Sequence, residues 1–225
     1  MTILTSAHDL ATTRVSWHRV AEHVLAAGQF ADAGTIRLRP CPGGIATVRG
    51  VAGRQLAVVG DELIVLEPDG NRRTARLTTI RAAAAFAGVA PGLQGSYAPA
   101  TSDDPDVPLT VDPEAARRLA AWYGLGDEAL RHFAEELGRP QEPVLWPEHL
   151  DVGISLDEVN YGCSPGDAAT PEPYVYVGPH AGPPARDDFW NAPFGAAATA
   201  ARIHGVEDAV HFFAQGRALT VRSTT

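Results

Sequence analysis

Hydrophobic and polar positions follow two periods in this chain, and each region keeps to one of them. Within residues 14–27, RVSWHRVAEHVLAA, Trp17, Val20, Ala21, Val24 and Leu25 recur at the i, i+3, i+4 spacing of an amphipathic helix. Gly28 is placed to end it. His18 and His23 are five residues apart, roughly 140° around such a helix. That is not the i, i+4 spacing of a metal pair, and both read as surface residues. From 35 to 76 the period drops to two. Short strands are predicted at 35–39, 45–49, 55–59, 63–67 and 72–76, joined by turns at 40–44, Gly60-Asp61 and 68–71. VVGDELIVL (58–66) is the clearest hairpin. The Gly43-Gly44 pair has no GxGxxG pattern and no helix after it, so it reads as a turn, not a phosphate cradle.

Residues 79–87 are predicted as a short helix, with Thr78 as N-cap and Gly88 past its end. Proline, glycine, serine and aspartate then dominate from 89 to 111. Within that stretch 96–111 reads as a linker or surface loop between an N-terminal α+β lobe, 1–95, and a C-terminal α+β lobe, 112–225. Asp112-Pro113 opens a helix to Tyr123, Gly124 and Gly126 break it, and Asp127 caps a second helix through Leu137. Residues 196–203 and 206–215 read as two closing helices. The order of elements does not alternate strand and helix regularly. The expected class is therefore α+β, antiparallel strands with flanking helices, with room for two lobes sharing one core.

Chemistry-bearing residues are densest from Trp146 to Gly195. Leu150, Val152, Ile154 and Leu156 alternate with Asp151, Gly153, Ser155 and Asp157. A strand beginning at His149 would put that histidine on the polar face. Residues 173–178 alternate likewise, with Val175 and Val177 on one side and Tyr174 and Tyr176 on the other. As antiparallel neighbours, these two strands would bury their aliphatic faces together and gather His149, Asp151, Ser155, Tyr174 and Tyr176 opposite. The loop between them carries Pro165-Gly166, the central pair of a type II turn, with Ser164 and Asp167 at its corners. Ser164 is not a nucleophile elbow, because proline follows it and no helix does. Farther on, Trp190 and Asn191 sit among bulky rings, and Asn191 is positioned to cap the helix expected beyond.

Composition narrows the chemistry. The chain has 225 residues, 45% apolar and 20% charged, enough for one large domain or two small ones. No apolar run approaches the ~18 residues of a membrane span. The opening MTILTSAHDLATTR lacks the basic and apolar segments of a secretory signal. Cys41 and Cys163 lie in unrelated contexts, which fits a reducing cytoplasm. All 18 basic residues are arginine. A lysine-free chain has no Schiff base for pyridoxal phosphate, no P-loop lysine for a nucleotide and no kinase-type lysine. The net charge of −9 argues against a nucleic-acid partner.

The string WPEHLD…NYGCSPGD…PYVYVGP…FWNAPFG resembles an uncharacterised bacterial family of unknown function. Its members carry a Trp-Pro-x-His-x-Asp element, a Ser-Pro-Gly-Asp turn and a Pro-Tyr-x-Tyr strand. These correspond here to Trp146–Asp151, Ser164–Asp167 and Pro173–Tyr176. The resemblance covers 145–195 and implies no activity, cofactor or mechanism.

The residues themselves suggest a small-molecule site over 146–195. Ser164, Asp167, Tyr174, Tyr176, Trp190 and Asn191 are the candidate ligand-binding residues, and His149 and Asp151 the candidate catalytic pair. The alternative is a hydrolase-like enzyme in which His149 is the base, Asp151 orients it, and water or Ser155 attacks. A metal-assisted form of it would use His149, Asp151 and Asp167. A scaffold without a ligand is the third reading.

Overall fold

The computed structural model describes residues 6–93 and 95–222; residues 1–5, the start of the stretch read as lacking a signal, lie outside the described residues. The chain divides into two compact units, Met1–Ala121 with Leu145–Leu150, and Trp122–Val144 with Asp151–Thr225. The class is α+β, with antiparallel strands throughout.

The first unit opens on α1 (Ala7–Val20), whose Ser6 hydroxyl and Asp9 carboxylate cap each other's backbone amides. The helix passes without a break into a π-helical segment (Ala21–Ala26) and then α2 (Ala27–Ala33). The predicted stop at Gly28 is overturned. A Cβ at Gly28 would come 2.8 Å from the Val89 side chain, so this glycine serves close packing. The run ends instead at Gly34, in the left-handed conformation with φ 66°. The predicted apolar face is buried, but so is the rest of this turn. His23, expected at the surface, is only 1% exposed. A π segment is wider than an α turn and displaces the following side chains around the axis, so α-helical angles mislead here.

Strands β1 (Leu38–Cys41), β2 (Gly44–Thr47), β3 (Gln55–Val59), β4 (Glu62–Leu66) and β5 (Arg72–Arg76) form a meander, and β6 (Val144–Trp146) sets Leu145 opposite Leu38 of β1. Leu56 faces Val65 and Val58 faces Leu63 across the β3–β4 hairpin, all four fully buried. Burying each such side chain is worth about 1.5–3 kcal/mol. Helix α3 (Ile80–Ala87) is capped by the Thr79 hydroxyl, one residue later than predicted, and ends at Gly88. Segment 96–111 is held down by Arg19, whose guanidinium donates to the carbonyls of Ser102, Asp104 and Val107.

Helix α4 (Pro113–Glu136) begins under an Asp112 cap and runs unbroken where two helices were expected. Gly126 does not stop it because it is a contact point. A Cβ there would lie 2.6 Å from that of Cys163, so only glycine lets the helix settle on the sheet. The second unit's strands are β7 (Asp151–Leu156), β8 (Val159–Ser164), β9 (Tyr174–Pro179) and β10 (Ala196–Thr199), antiparallel in that order. Two expectations fail. The strands predicted as neighbours, β7 and β9, are separated by β8. The first predicted closing helix is instead β10 and a short 3-10 turn (Ala200–Arg202); the second is α5 (Val206–Arg222). β8 went unseen because its hairpin turn is Asp157-Glu158. Both have positive φ, 52° and 61°, as a tight two-residue turn needs, without the usual asparagine or glycine. The Asp157 carboxylate is held there by Arg139 and by Arg217, the latter at 2.7 Å.

The predicted apolar face of β7 holds: Val152, Ile154 and Leu156 are buried, with Tyr161, Cys163, Val175 and Val177 beside them. Phe133 of α4 packs 4.7 Å from Tyr161 and 5.7 Å from Phe213 of α5, ring centre to ring centre. Among the described residues no helix is long and apolar enough to cross a membrane.

Candidate functional site

The other face of the β7–β10 sheet is polar and aromatic, and register explains its geometry. Tyr176 of β9 lies opposite Gly162 of β8, which lies opposite Gly153 of β7. A Cβ on Gly162 would come 2.6 Å from the Tyr176 ring, and one on Gly153 3.4 Å from its hydroxyl. The tyrosine therefore lies across two strands stripped of side chains and donates its hydroxyl to Asp151 Oδ2. Asp151 is 7% exposed, so this bond forms where it is little screened by water. Two residues back along β9, the Tyr174 hydroxyl donates to Asp167 Oδ2 at 3.0 Å. The Asp167 carboxylate also accepts from the amides of Ala169 and Thr170 at 2.7 Å, which fixes the loop. Gly166 has φ 90°, as the second central position of a type II turn requires, and its amide donates to the Ser164 hydroxyl.

Three rings meet over this face. Phe194 is 43% exposed; it stacks at 21° on Tyr174, with ring centres 6.3 Å apart, and meets Tyr176 edge-on at 6.1 Å. Burial and the neighbouring Asp151 push the Tyr176 hydroxyl far above its ordinary pKa. Burial pushes Tyr174 up to about 12, with the Ser164 hydroxyl pulling it down and Asp167 pushing it up. Both phenols are thus neutral hydrogen-bonding groups at pH 7. Burial also drives the Cys163 thiol well up, so the cysteine behaves as an apolar core residue.

Of the predicted site residues, Asp151, Ser164, Asp167, Tyr174 and Tyr176 come together here. Trp190 does not: it is 2% exposed and meets Phe189 edge-on, and Phe189 rests on Phe212 of α5, among the helix-side rings. Asn191 caps no helix. Its amide donates to the Ala197 carbonyl and its carbonyl accepts from the Ala197 amide, which pins the approach to β10. His149 belongs to the first unit, where it is exposed and acts electrostatically on His18. Leu150, with φ 54°, interrupts the extended backbone ahead of β7, so the strand begins at Asp151 and not at His149. Among the described residues no group of three histidine, cysteine or acidic side chains could hold a metal ion. Gly162 was overlooked in the sequence and Gly153 was placed only on the polar face; their signal was one glycine in each of two strands beside a tyrosine strand.

No family model, curated protein or solved structure matches the chain.

Proposed function

We propose that the protein binds a small molecule bearing a planar or apolar ring, on the tyrosine face of its second unit. The observation that carries this reading is the Phe194 ring, 43% exposed, beside Tyr174 and Tyr176, with Tyr176 laid flat over Gly153 and Gly162. Rings next to fixed polar groups suit such a ligand, the rings supplying contact area and the polar groups orientation. Phenols that stay protonated at neutral pH favour recognition over proton abstraction. The reading includes a reducing, cytoplasmic setting, supported by the free Cys41 and Cys163, and no nucleic-acid partner, supported by the charge of −9.

The test is a thermal-shift screen of ring-bearing metabolites, followed by calorimetry on the hits. Phe194→Ala should weaken binding about tenfold while the circular dichroism stays unchanged. Hits that bind Phe194→Ala as tightly as the native chain would place the site elsewhere.

A further inference from the structure

The first unit buries a second polar cluster. Glu22 lies in the π-helical segment and is 0% exposed. Its Oε1 accepts from the Tyr97 hydroxyl at 3.1 Å and the Ala100 amide at 2.8 Å. Its Oε2 accepts from the Thr101 amide at 2.9 Å and the Thr101 hydroxyl at 2.5 Å. Because the Thr101 hydrogen goes to Glu22, Thr101 Oγ1 is left to accept from His23 Nε2, 3.1 Å away. That fixes the tautomer of a neutral His23: Nε2 carries the proton and Nδ1 is an acceptor. His18 Nε2 stands 2.7 Å from the Pro147 carbonyl, to which it donates, and 3.9 Å from Glu22 Oε2.

Every donor just named is therefore spent. Two acceptors are not: His23 Nδ1 and Glu148 Oε2 are buried atoms with no hydrogen-bond partner among the described residues. Glu148 directly follows Pro147, and it acts together with Glu22 on the Tyr97 hydroxyl. Glu22, His23 and His149 all act on His18. Buried polar atoms are nearly always satisfied, so two such acceptors, one of them a carboxylate oxygen, call for something that brings donors and positive charge. An anion brings neither. π-helical turns also recur at functional sites.

We propose that this cluster binds a small organic cation through a primary ammonium group, with Glu148 and His23 accepting its N–H bonds. The proposal is independent of the tyrosine-face site. An ammonium offers three donors and one charge, which matches the two unsatisfied acceptors and the Glu148 carboxylate. Glu22, saturated by its own donors, acts as the fixed negative charge behind the site and holds the Tyr97–Thr101 wall in place.

The full chain is titrated with ethylammonium chloride and followed by NMR at the His23 imidazole and the Thr101 amide. Tetramethylammonium chloride, which has no N–H donor, and sodium chloride serve as controls. The expected result is a saturable shift from ethylammonium alone, weakened at least tenfold in Glu148→Gln. Ligand response at the tyrosine face should stay native in that variant. No saturable shift in the native chain, equal shifts from either control salt, or native affinity in a folded Glu148→Gln would each overturn the proposal. The native-chain titration decides the matter even if the variant does not fold.

Discussion

In the first unit charged groups go inside and are locked to backbone; in the second, Asp151 and Asp167 stay on one face of a sheet whose other face is mainly apolar. Glu22 and Arg19 sit at 0% and 3% exposure and between them collect the hydrogen bonds of segment 97–107. The second unit keeps Phe133, Tyr161 and Phe213 under the sheet, and Asp151, Tyr174 and Tyr176 over it. The difference shows two ways of specifying a structure. Apolar packing tolerates approximate shapes, whereas a buried charge demands every partner.

The largest test removes such a charge. Glu22→Ala leaves the Tyr97 hydroxyl and the Ala100 and Thr101 amides without an acceptor. At about 1–3 kcal/mol for each buried donor left unsatisfied, it should cost at least about 3 kcal/mol in urea unfolding. A loss under about 1 kcal/mol would mean that the cluster does not hold segment 97–101 in solution.

Next comes the apolar counterpart. Ile154→Ala should cost about 2–5 kcal/mol, as core truncations do. Ser155→Ala, one position along on the exposed side, should change stability by no more than about 0.5 kcal/mol. Similar losses from both would destroy the assignment of faces in β7.

A smaller effect probes the bare backbone of the tyrosine face. Gly162→Ala drives a methyl group into the Tyr176 ring, since its Cβ would lie 2.6 Å away. The expected cost is about 1–3 kcal/mol, with loss of the Tyr176–Asp151 bond. Combining it with Tyr176→Ala should recover most of that cost, because the obstructing ring is gone; simple additivity would contradict the geometry.

The gentlest test is alkaline. Tyr174 in the folded chain titrates at about 12, raised chiefly by burial, against about 10 for an unfolded tyrosine. A raised folded pKa means that its stabilising contribution is fully present below pH 10 and lost as pH rises toward 12. Tyr174→Phe should therefore flatten the decline in stability between those values, measured by unfolding at stepped pH. An unchanged slope would show that Tyr174 is not buried in solution.

Local pattern alone determined much of this protein. The β3–β4 hairpin, α3, the start of α4, the apolar face of β7 and the shared face of Tyr174 and Tyr176 all follow from period, caps and turn residues. The reason is that nearest neighbours in sequence dictate those choices. Tertiary contact decided the rest. Gly28 and Gly126 look like helix stops, but each sits where another element comes too close for a side chain. Residues 196–199 form a strand because β9 offers an edge to pair with, which an alanine-rich run cannot announce. Tyr176 reaches Asp151 only because glycines from two strands align beneath it. His23 and Glu22, read locally as one surface histidine and an unremarked acid, are interior because a π turn and a distant loop enclose them. Each of these outcomes depends on atoms far away in sequence, and no local period carries that information.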